Sequence, residues 1–289
     1  MQRRDLFRLM PALAAAPWHA AEPAVRSRLR SAICAYSFRR ELESGAMRYD
    51  DLVRMAVDLD LDGLDLTVYW FPNTTDEFLM PLRNLANRSG VPIYSISIRT
   101  NMCQPTAELQ AKEVASIRQW VDVASKLGAG HIRVFGGDVP RGRTEDEAAD
   151  WVTEILTAAS SYAAAHGVIL GLENHGGITL RAERIIQIVK KVNSPWVGIN
   201  LDTGNFRENF YEQIRMCLPY AVNAQFKTVM RGLKGEVEPS DWERIVKMFA
   251  ESGYKGYLAL EYEENRPARE AFPPLMRKLR DLARQHSRR

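Results

Sequence analysis

Residues 168–202 read VILGLENHGGITLRAERIIQIVKKVNSPWVGINLD and hold two short apolar runs separated by a longer amphipathic stretch. The runs, 168–172 and 197–201, are nearly continuous in apolar character, which is typical of parallel strands that are covered on both faces. A stretch of helical period between two such strands is the unit of a parallel α/β fold. The segment therefore predicts a strand, a helix and a second strand, with polar residues after each strand.

The same alternation extends over the chain from residue 31 onward. The helical stretches carry start and stop signals: Thr144 precedes Glu147 and Ser240 precedes Glu243 at capping-box spacing, and Gly128 stops an earlier helix. We predict strands at 32–38, 63–68, 92–98, 131–135, 168–172, 197–201, 221–226 and 256–260.

Eight strand–helix units over about 255 residues predict an α/β fold, a single (β/α)8 TIM barrel at 31–286. The competing architecture is an open doubly wound sheet, which usually has a glycine-rich phosphate loop after an early strand. The sequence contains neither GxGxxG nor GxxxxGK[ST], and the first predicted strand ends instead in Tyr36-Ser37-Phe38-Arg39. We therefore favour the barrel.

Residues 1–30 lie outside this alternation and begin with the pair Arg3-Arg4 before a short, alanine-rich apolar stretch. This arrangement resembles a twin-arginine export signal, which is removed after transport. It predicts an exported, periplasmic protein; the alternative is a retained basic tail on a cytoplasmic protein. No later segment reaches the roughly 20 apolar residues of a membrane span.

The composition excludes several classes of protein and partner. Of the 289 residues, 46% are apolar and 26% are charged, as in an ordinary soluble globular protein. The net charge of +3 is too small for a nucleic-acid footprint, so nucleic acid is not an expected partner. Three widely spaced cysteines do not form a disulfide framework. The sequence does not determine the oligomeric state, and both a monomer and a homo-oligomer are compatible with it.

Polar residues end the last four predicted strands: Glu173, Asp202, Gln225 and Glu261. In a barrel these strand ends meet at one rim, where three carboxylates in a partly desolvated site repel each other. A cation is therefore expected between them. The all-oxygen ligand set suits Mn²⁺ or Mg²⁺ best, with Co²⁺ and Zn²⁺ as alternatives. For any one acid alone, the alternative is a solvated loop residue or a helix N-cap.

The motifs Glu-Asn-His at 173–175, Leu-Asp-Thr-Gly-Asn at 201–205 and Leu-Glu-Tyr-Glu at 260–263 resemble the sugar phosphate isomerase/epimerase superfamily, whose members are xylose isomerase-like TIM barrels. The resemblance covers about 31–286 and implies a metal held by Glu173, Asp202 and Glu261. The fourth ligand would be Gln225, where the family commonly has histidine. A glutamine oxygen is a weaker ligand than imidazole for a transition metal, so a weakened or lost site is the alternative.

The resemblance further implies a metal-dependent isomerase or epimerase that acts on a ketose or related keto-polyol through an enediolate. Glu173 and Glu261 would be its acid–base pair. One alternative is a lyase of the same fold that dehydrates an inosose or cleaves a 3-keto glycoside. The other is a non-catalytic sugar-binding barrel whose metal site has decayed.

Seven further side chains near the predicted strand ends are candidates for contact with a sugar. Arg231 and Asn205 are candidates through the resemblance, and the others through their chemistry and position. Surface loops, structural ion pairs and core packing are the alternatives for each of them. The candidates are Tyr36, His131, Arg133, His175, Asn205, Lys227 and Arg231.

Overall fold

The computed structural model describes residues 26–287, which form a closed barrel of eight parallel strands with helices outside it. The barrel strands are β1 (Arg28–Cys34), β2 (Gly63–Thr67), β3 (Ile93–Ser97), β4 (His131–Phe135), β5 (Ile169–Glu173), β6 (Val197–Asp202), β7 (Ala221–Phe226) and, after the hairpin β8 (Val229–Arg231) and β9 (Val237–Pro239), β10 (Lys255–Leu260). The helices are α1 (Arg39–Glu43), α2 (Tyr49–Asp58), α3 (Asp76–Arg88), α4 (Ala107–Leu127), α5 (Glu145–Ala165), α6 (Ala182–Val192), α7 (Phe210–Cys217), α8 (Trp242–Glu251) and α9 (Ala268–His286).

The strands follow one another around the barrel in chain order, and the two ends of the sheet close by pairing β1 with β10. In that last pairing, Arg28 lies beside Lys255 and Ile33 beside Leu260, both in parallel register. The predicted (β/α)8 barrel is therefore confirmed. All eight strands point their carboxyl ends to the same mouth, so the residues that follow them are brought together.

The helix boundaries follow the local signals in the sequence. The Thr144 side chain accepts a hydrogen bond from the Glu147 backbone, and the Glu147 carboxylate accepts one from Thr144, which completes the capping box of α5. Helix α4 ends at Gly128, whose φ of 78° suits glycine. The predicted cap of α8 is wrong: Asp241, not Ser240, accepts from the Arg244 backbone. An aspartate at this position offers a stronger acceptor than the preceding hydroxyl.

The barrel begins earlier than the sequence pattern predicts. Strand β1 starts at Arg28, although the predicted domain starts at 31 and its first strand at 32. Arg28 is exposed and Arg30 is half-buried, because they lie at the amino end of the barrel, where side chains meet solvent. A search for apolar runs misses the start of a strand when the first residues of that strand are polar. The hairpin β8–β9 was not predicted either.

The barrel interior is polar, whereas the apolar core lies between the strands and the helices. In β3, Ile96 belongs to the apolar core, while its neighbour Ser97 donates to the buried Asp65 carboxylate at 3.0 Å. This alternation is the normal consequence of the strand period of two. Within the described range, no helix has the length and apolar character needed to cross a membrane.

Candidate active site

A cavity of about 390 Å³ opens at the carboxyl end of the barrel. Its floor includes side chains from the ends of β4, β5, β7 and β10, and its wall includes aromatic residues from the loops after β1 and β2. Glu173, Glu261, Lys227, Arg133 and Tyr36 all line it. This position matches the place where TIM barrels carry their active sites.

Lys227 lies at the centre of a group of carboxylates, here called the Lys227 cluster: Lys227, Asp202, Glu261 and Glu263. Its Nζ is 2.7 Å from Glu261 Oε1 and 3.4 Å from Asp202 Oδ2, and it also contacts Glu263. Burial alone would lower the pKa of Lys227, but the three carboxylates outweigh it and raise that pKa above its usual value. The ammonium therefore stays charged and neutralises part of the acidic rim.

Glu173 pairs with a different cation. Arg133 Nε lies 3.0 Å from Glu173 Oε2, at ion-pair distance but without the alignment of a hydrogen bond, and both side chains are buried. Arg133 Nη1 also donates to the Tyr69 hydroxyl and to a backbone carbonyl, both at 3.0 Å. Asn205 Nδ2 donates to Glu173 Oε1 at 3.1 Å. Arg133 is thus both a lining residue and a structural partner of Glu173.

The two glutamates differ in their protonation equilibria. Burial raises the pKa of Glu173 well above its ordinary value, more than Arg133 lowers it. Burial also raises the pKa of Glu261, but Lys227, Arg133 and the hydrogen bond from Cys34 together outweigh burial, and the pKa of Glu261 falls below its ordinary value. Burial raises the pKa of Asp202 to about 7, against the opposing effect of Lys227. Such a split is what separates an acid from a base in one site.

Asn174 holds the end of β6 against the end of β5. The Asp202 backbone N–H donates to Asn174 Oδ1 at 2.8 Å, and Asn174 Nδ2 donates to the Asp202 carbonyl at 2.9 Å. The Gly204 backbone N–H donates to Asp202 Oδ1 at 2.8 Å. These bonds fix the Asp202 carboxylate below the cavity. Our sequence interpretation missed Asn174 as a positioning residue, although its place between Glu173 and His175 is a signal.

Gln225 belongs to a continuous series of hydrogen bonds inside the barrel, here called the amide chain. Asn200 Nδ2 donates to Gln225 Oε1 at 3.0 Å, and Gln225 Nε2 donates to Cys34 Sγ at 3.8 Å. The Gln225 oxygen is therefore engaged by Asn200. From donor to acceptor, the amide chain runs Tyr94, Asn223, Asn200, Gln225, Cys34 and Glu261.

The four predicted metal ligands lie at the same end of the barrel, but cationic side chains already contact the acids. Glu173 Oε2 and Asp202 Oδ2 are buried and accept no hydrogen bond, which fits a cation ligand. Lys227, however, contacts both Asp202 and Glu261. Between residues 26 and 287, no three Asp, Glu, His or Cys side chains come together as a metal site. The donor types thus fit a divalent cation, and the present contacts are made with Lys227 and Arg133.

Three more of the predicted contact residues line the cavity: His175, Asn205 and Arg231. The His175 ring lies 4.0 Å from the Phe135 ring, and burial lowers the pKa of His175 to about 4, so the imidazole is neutral. Tyr36 is half-buried and meets the Tyr69 ring edge-on. Arg231 is exposed at the edge of the cavity.

His131 does not lie at the mouth, contrary to the prediction. Its Nδ1 is 2.8 Å from Ser95 Oγ, the side chain is buried, and burial lowers its pKa to about 3. His131 and Arg133 share the inner face of β4, but His131 lies two residues, or roughly 7 Å, deeper along the strand. The alternation of side chains along β4 predicts the correct face for His131, but it does not predict how deep in the barrel the side chain lies.

Several lining residues carry no motif in the sequence, because they lie in loops after the strands. Arg99 follows β3, Arg207 follows β6, and Glu264 follows β10. Tyr69, after β2, accepts a hydrogen bond from Arg133 and lies 4.1 Å below the Arg99 guanidinium. The sequence shows which of these loop residues are charged or aromatic. Whether their side chains point into the cavity depends on how each loop folds back over the barrel.

Comparisons with known proteins agree with this architecture. Residues 53–282 match the family described as xylose isomerase-like TIM barrel. No curated protein sequence matches the chain. Among solved structures, D-psicose 3-epimerase from Clostridium cellulolyticum H10, crystallised with D-tagatose, is similar at a TM-score of 0.71 and 17% identity, over 89% of this chain and 98% of that one.

Two other solved structures are also similar to the chain. The 3-keto-D-glucoside 4-epimerase from E. coli has a TM-score of 0.69 and 12% identity, over 89% of this chain and 100% of that one. A xylose isomerase-like TIM barrel protein from Mycobacterium smegmatis, in complex with magnesium, has a TM-score of 0.67 and 18% identity, over 89% of this chain and 96% of that one. At these identities the likeness shows the shared fold.

Proposed function

Because the chain belongs to the xylose isomerase-like TIM barrel family, we propose that it is an enzyme that epimerises or isomerises a ketose or related keto-polyol. One observation carries the proposal: Glu173 and Glu261 line a single cavity, and each is held by a different cation, Arg133 or Lys227. A proton can then be removed by one carboxyl group and returned by the other. The epimerases that share the fold support this assignment.

In the proposed reaction, Glu261 removes a proton from the carbon beside the substrate carbonyl. The C–H electron pair forms the C=C bond of an enolate, and the negative charge moves to the carbonyl oxygen. For epimerisation, Glu173 then supplies a proton to the opposite face of the same carbon, and the oxyanion becomes the carbonyl again. For isomerisation, Glu173 protonates the former carbonyl carbon, while the proton of the neighbouring hydroxyl moves to the former carbonyl oxygen and that hydroxyl oxygen becomes the new carbonyl. The Lys227 ammonium and the Arg133 guanidinium line the cavity and stabilise the oxyanion.

We also propose that Mn²⁺ or Mg²⁺ binds at Glu173, Asp202 and Glu261, with the Gln225 oxygen as a fourth donor. When bound, the ion would supply Lewis-acid stabilisation of substrate oxygens. Lys227 contacts Asp202 and Glu261, so its ammonium must leave them before an ion can take both carboxylates. The support is the set of donor types and the two carboxylate oxygens that accept no hydrogen bond.

Deuterium incorporation tests the proposed function without knowledge of the sugar. We expect the purified protein, with Mn²⁺ or Mg²⁺ added, to exchange a carbon-bound proton of at least one ketose, inosose or 3-keto glycoside in deuterated water. Proton NMR measures the loss of that signal. A product that has lost a β-substituent would identify a lyase instead. Absence of exchange across all three substrate classes contradicts enolisation chemistry.

The N-terminal pair Arg3-Arg4 lies outside the described residues, and export stays a proposal. We expect Arg3→Lys with Arg4→Lys to retain the precursor inside the cell, because twin-arginine transport depends on that pair. Fractionation and immunoblotting of the full chain measure the outcome. If the double variant reaches the same compartment as the unchanged chain, the signal assignment is wrong.

A further inference from the structure

Three arginines at the rim of the cavity, Arg99, Arg207 and Arg231, are here called the rim arginines. Over residues 26–287, none of the three forms an ion pair, in contrast to Arg133 and Lys227 at the floor. The floor cations are used to neutralise acids. The rim arginines therefore present guanidinium charge to whatever fills the cavity.

Neighbouring groups orient the side chains of Arg207 and Arg99 without neutralising them, and Arg231 takes part through its backbone carbonyl. Arg207 Nη1 donates to the Arg231 backbone carbonyl at 3.4 Å, and the Leu233 backbone N–H donates to the Arg207 carbonyl at 3.1 Å. These contacts tie the loop after β6 to the hairpin β8–β9. On another side of the cavity, the Arg99 guanidinium lies 4.1 Å from the Tyr69 ring centre. Such contacts reduce the freedom of a long side chain before a ligand arrives.

The acidic residues near the rim are already engaged. Glu263 contacts Lys227, and Glu264 Oε1 accepts a hydrogen bond from Thr228 Oγ1 at 2.9 Å. Neither lies within ion-pair distance of a rim arginine. Guanidinium donors that face a cavity and lack a carboxylate partner match the planar, two-oxygen geometry of a carboxylate or phosphate.

We propose that the substrate carries an anionic group, a carboxylate or a phosphate, which Arg207 and Arg231 bind and which Arg99 helps to attract. This inference rests on the proposed function, because it names the class of keto sugar that the same cavity takes. The reacting carbons would then face Glu173 and Glu261 at the floor, while the anionic group occupies the rim.

The experiment compares three probes of one carbon skeleton: a neutral ketose, its ketouronate and its ketose phosphate. We expect kcat/KM for deuterium exchange to be about 100-fold higher for at least one anionic probe than for the neutral one, as a charge-assisted contact allows. Arg207→Gln with Arg231→Gln should remove most of that advantage, mainly through the KM of the anionic probe, so that the ratio of kcat/KM between the anionic and the neutral probe falls toward one. The anionic probe whose kcat/KM falls more in the double variant identifies the anionic group of the native substrate.

Arg215→Gln is the matched control, because Arg215 is exposed on α7 and does not line the cavity. Circular dichroism confirms that each variant is folded. Equal exchange of neutral and anionic probes overturns the anion proposal and leaves the proposed function standing. If no probe exchanges and the screen of ketoses, inososes and 3-keto glycosides also gives no exchange, the proposed function fails. Calorimetry with the ketose phosphate and ketouronate still decides the inference: affinities unchanged in the double variant overturn it.

Discussion

Replacing Glu261 with glutamine should lower kcat for enolisation by about 10²–10⁴-fold, the range in which a positioned general base contributes. A carboxamide cannot take the substrate proton, although its oxygen can still accept from Lys227, as Oε1 does now, while its NH2 takes the place of the Oε2 that accepts from Cys34 and can donate to the sulfur instead. The fold should therefore survive. The initial rate of deuterium incorporation, measured by NMR at saturating substrate, gives the loss.

Glu173→Gln should cause a loss of similar size in turnover to the epimerised product, because the second proton transfer then lacks its donor. Glu270→Gln is the control, since Glu270 is exposed in the first turn of α9, away from the cavity. If Glu261→Gln retains more than about a tenth of the activity, Glu261 is not the base. The acid–base assignment would then have to be abandoned.

Lys227→Met should lower the free energy of unfolding by about 3–5 kcal/mol in the presence of EDTA, as expected when one member of a buried ion pair is removed. Asp202 and Glu261 would remain buried without their shared cation. We also expect Mn²⁺ to restore much of the lost stability and to bind at least about tenfold more tightly than to the unchanged protein, because the ammonium no longer competes. Urea unfolding and calorimetry measure both effects.

Lys255→Met is the matched control, because Lys255 is exposed at the amino end of β10. Its stability and its Mn²⁺ affinity should both stay unchanged. A Lys227→Met variant that loses stability and gains no affinity for Mn²⁺ would show that the Lys227 cluster is structural and that the metal proposal is wrong.

The fold was predictable because strands and helices leave local signals. The bounds of β4 and β7 agree with the predicted 131–135 and 221–226. The carboxylates at the ends of β5, β6 and β10 were found because a parallel barrel brings all its strand ends to one mouth. Position along a strand fixes which face a side chain takes, and so Glu173 was placed from the sequence alone.

The sequence left a structural ion pair open for Arg133, but it did not predict which cation contacts which carboxylate. That Lys227 contacts three acids, and that Arg133 serves Glu173, depends on rotamers chosen by the packed barrel. The side chain of Arg207 is oriented by its contact with the hairpin β8–β9. The sequence pattern did not predict that hairpin. Distances of 3 to 4 Å between residues far apart in the chain decide the electrostatics of the site. The hydrophobic periodicity that predicts strands and helices carries no information about those distances.

The amide chain has a direction, and this has a consequence for the charge of the site. Each side-chain amide in it accepts from one neighbour and donates to the next, from the Tyr94 hydroxyl to the Glu261 carboxylate. One amide cannot reverse alone without placing two donors or two acceptors face to face. Negative charge on Glu261 favours the arrangement in which every donor of the amide chain points toward Glu261. Each hydrogen bond also polarises the next one. In the proposed reaction, protonation of Glu261 would remove that charge and weaken the polarisation along the amide chain as far as the Tyr94 hydroxyl, at the opposite end of the barrel.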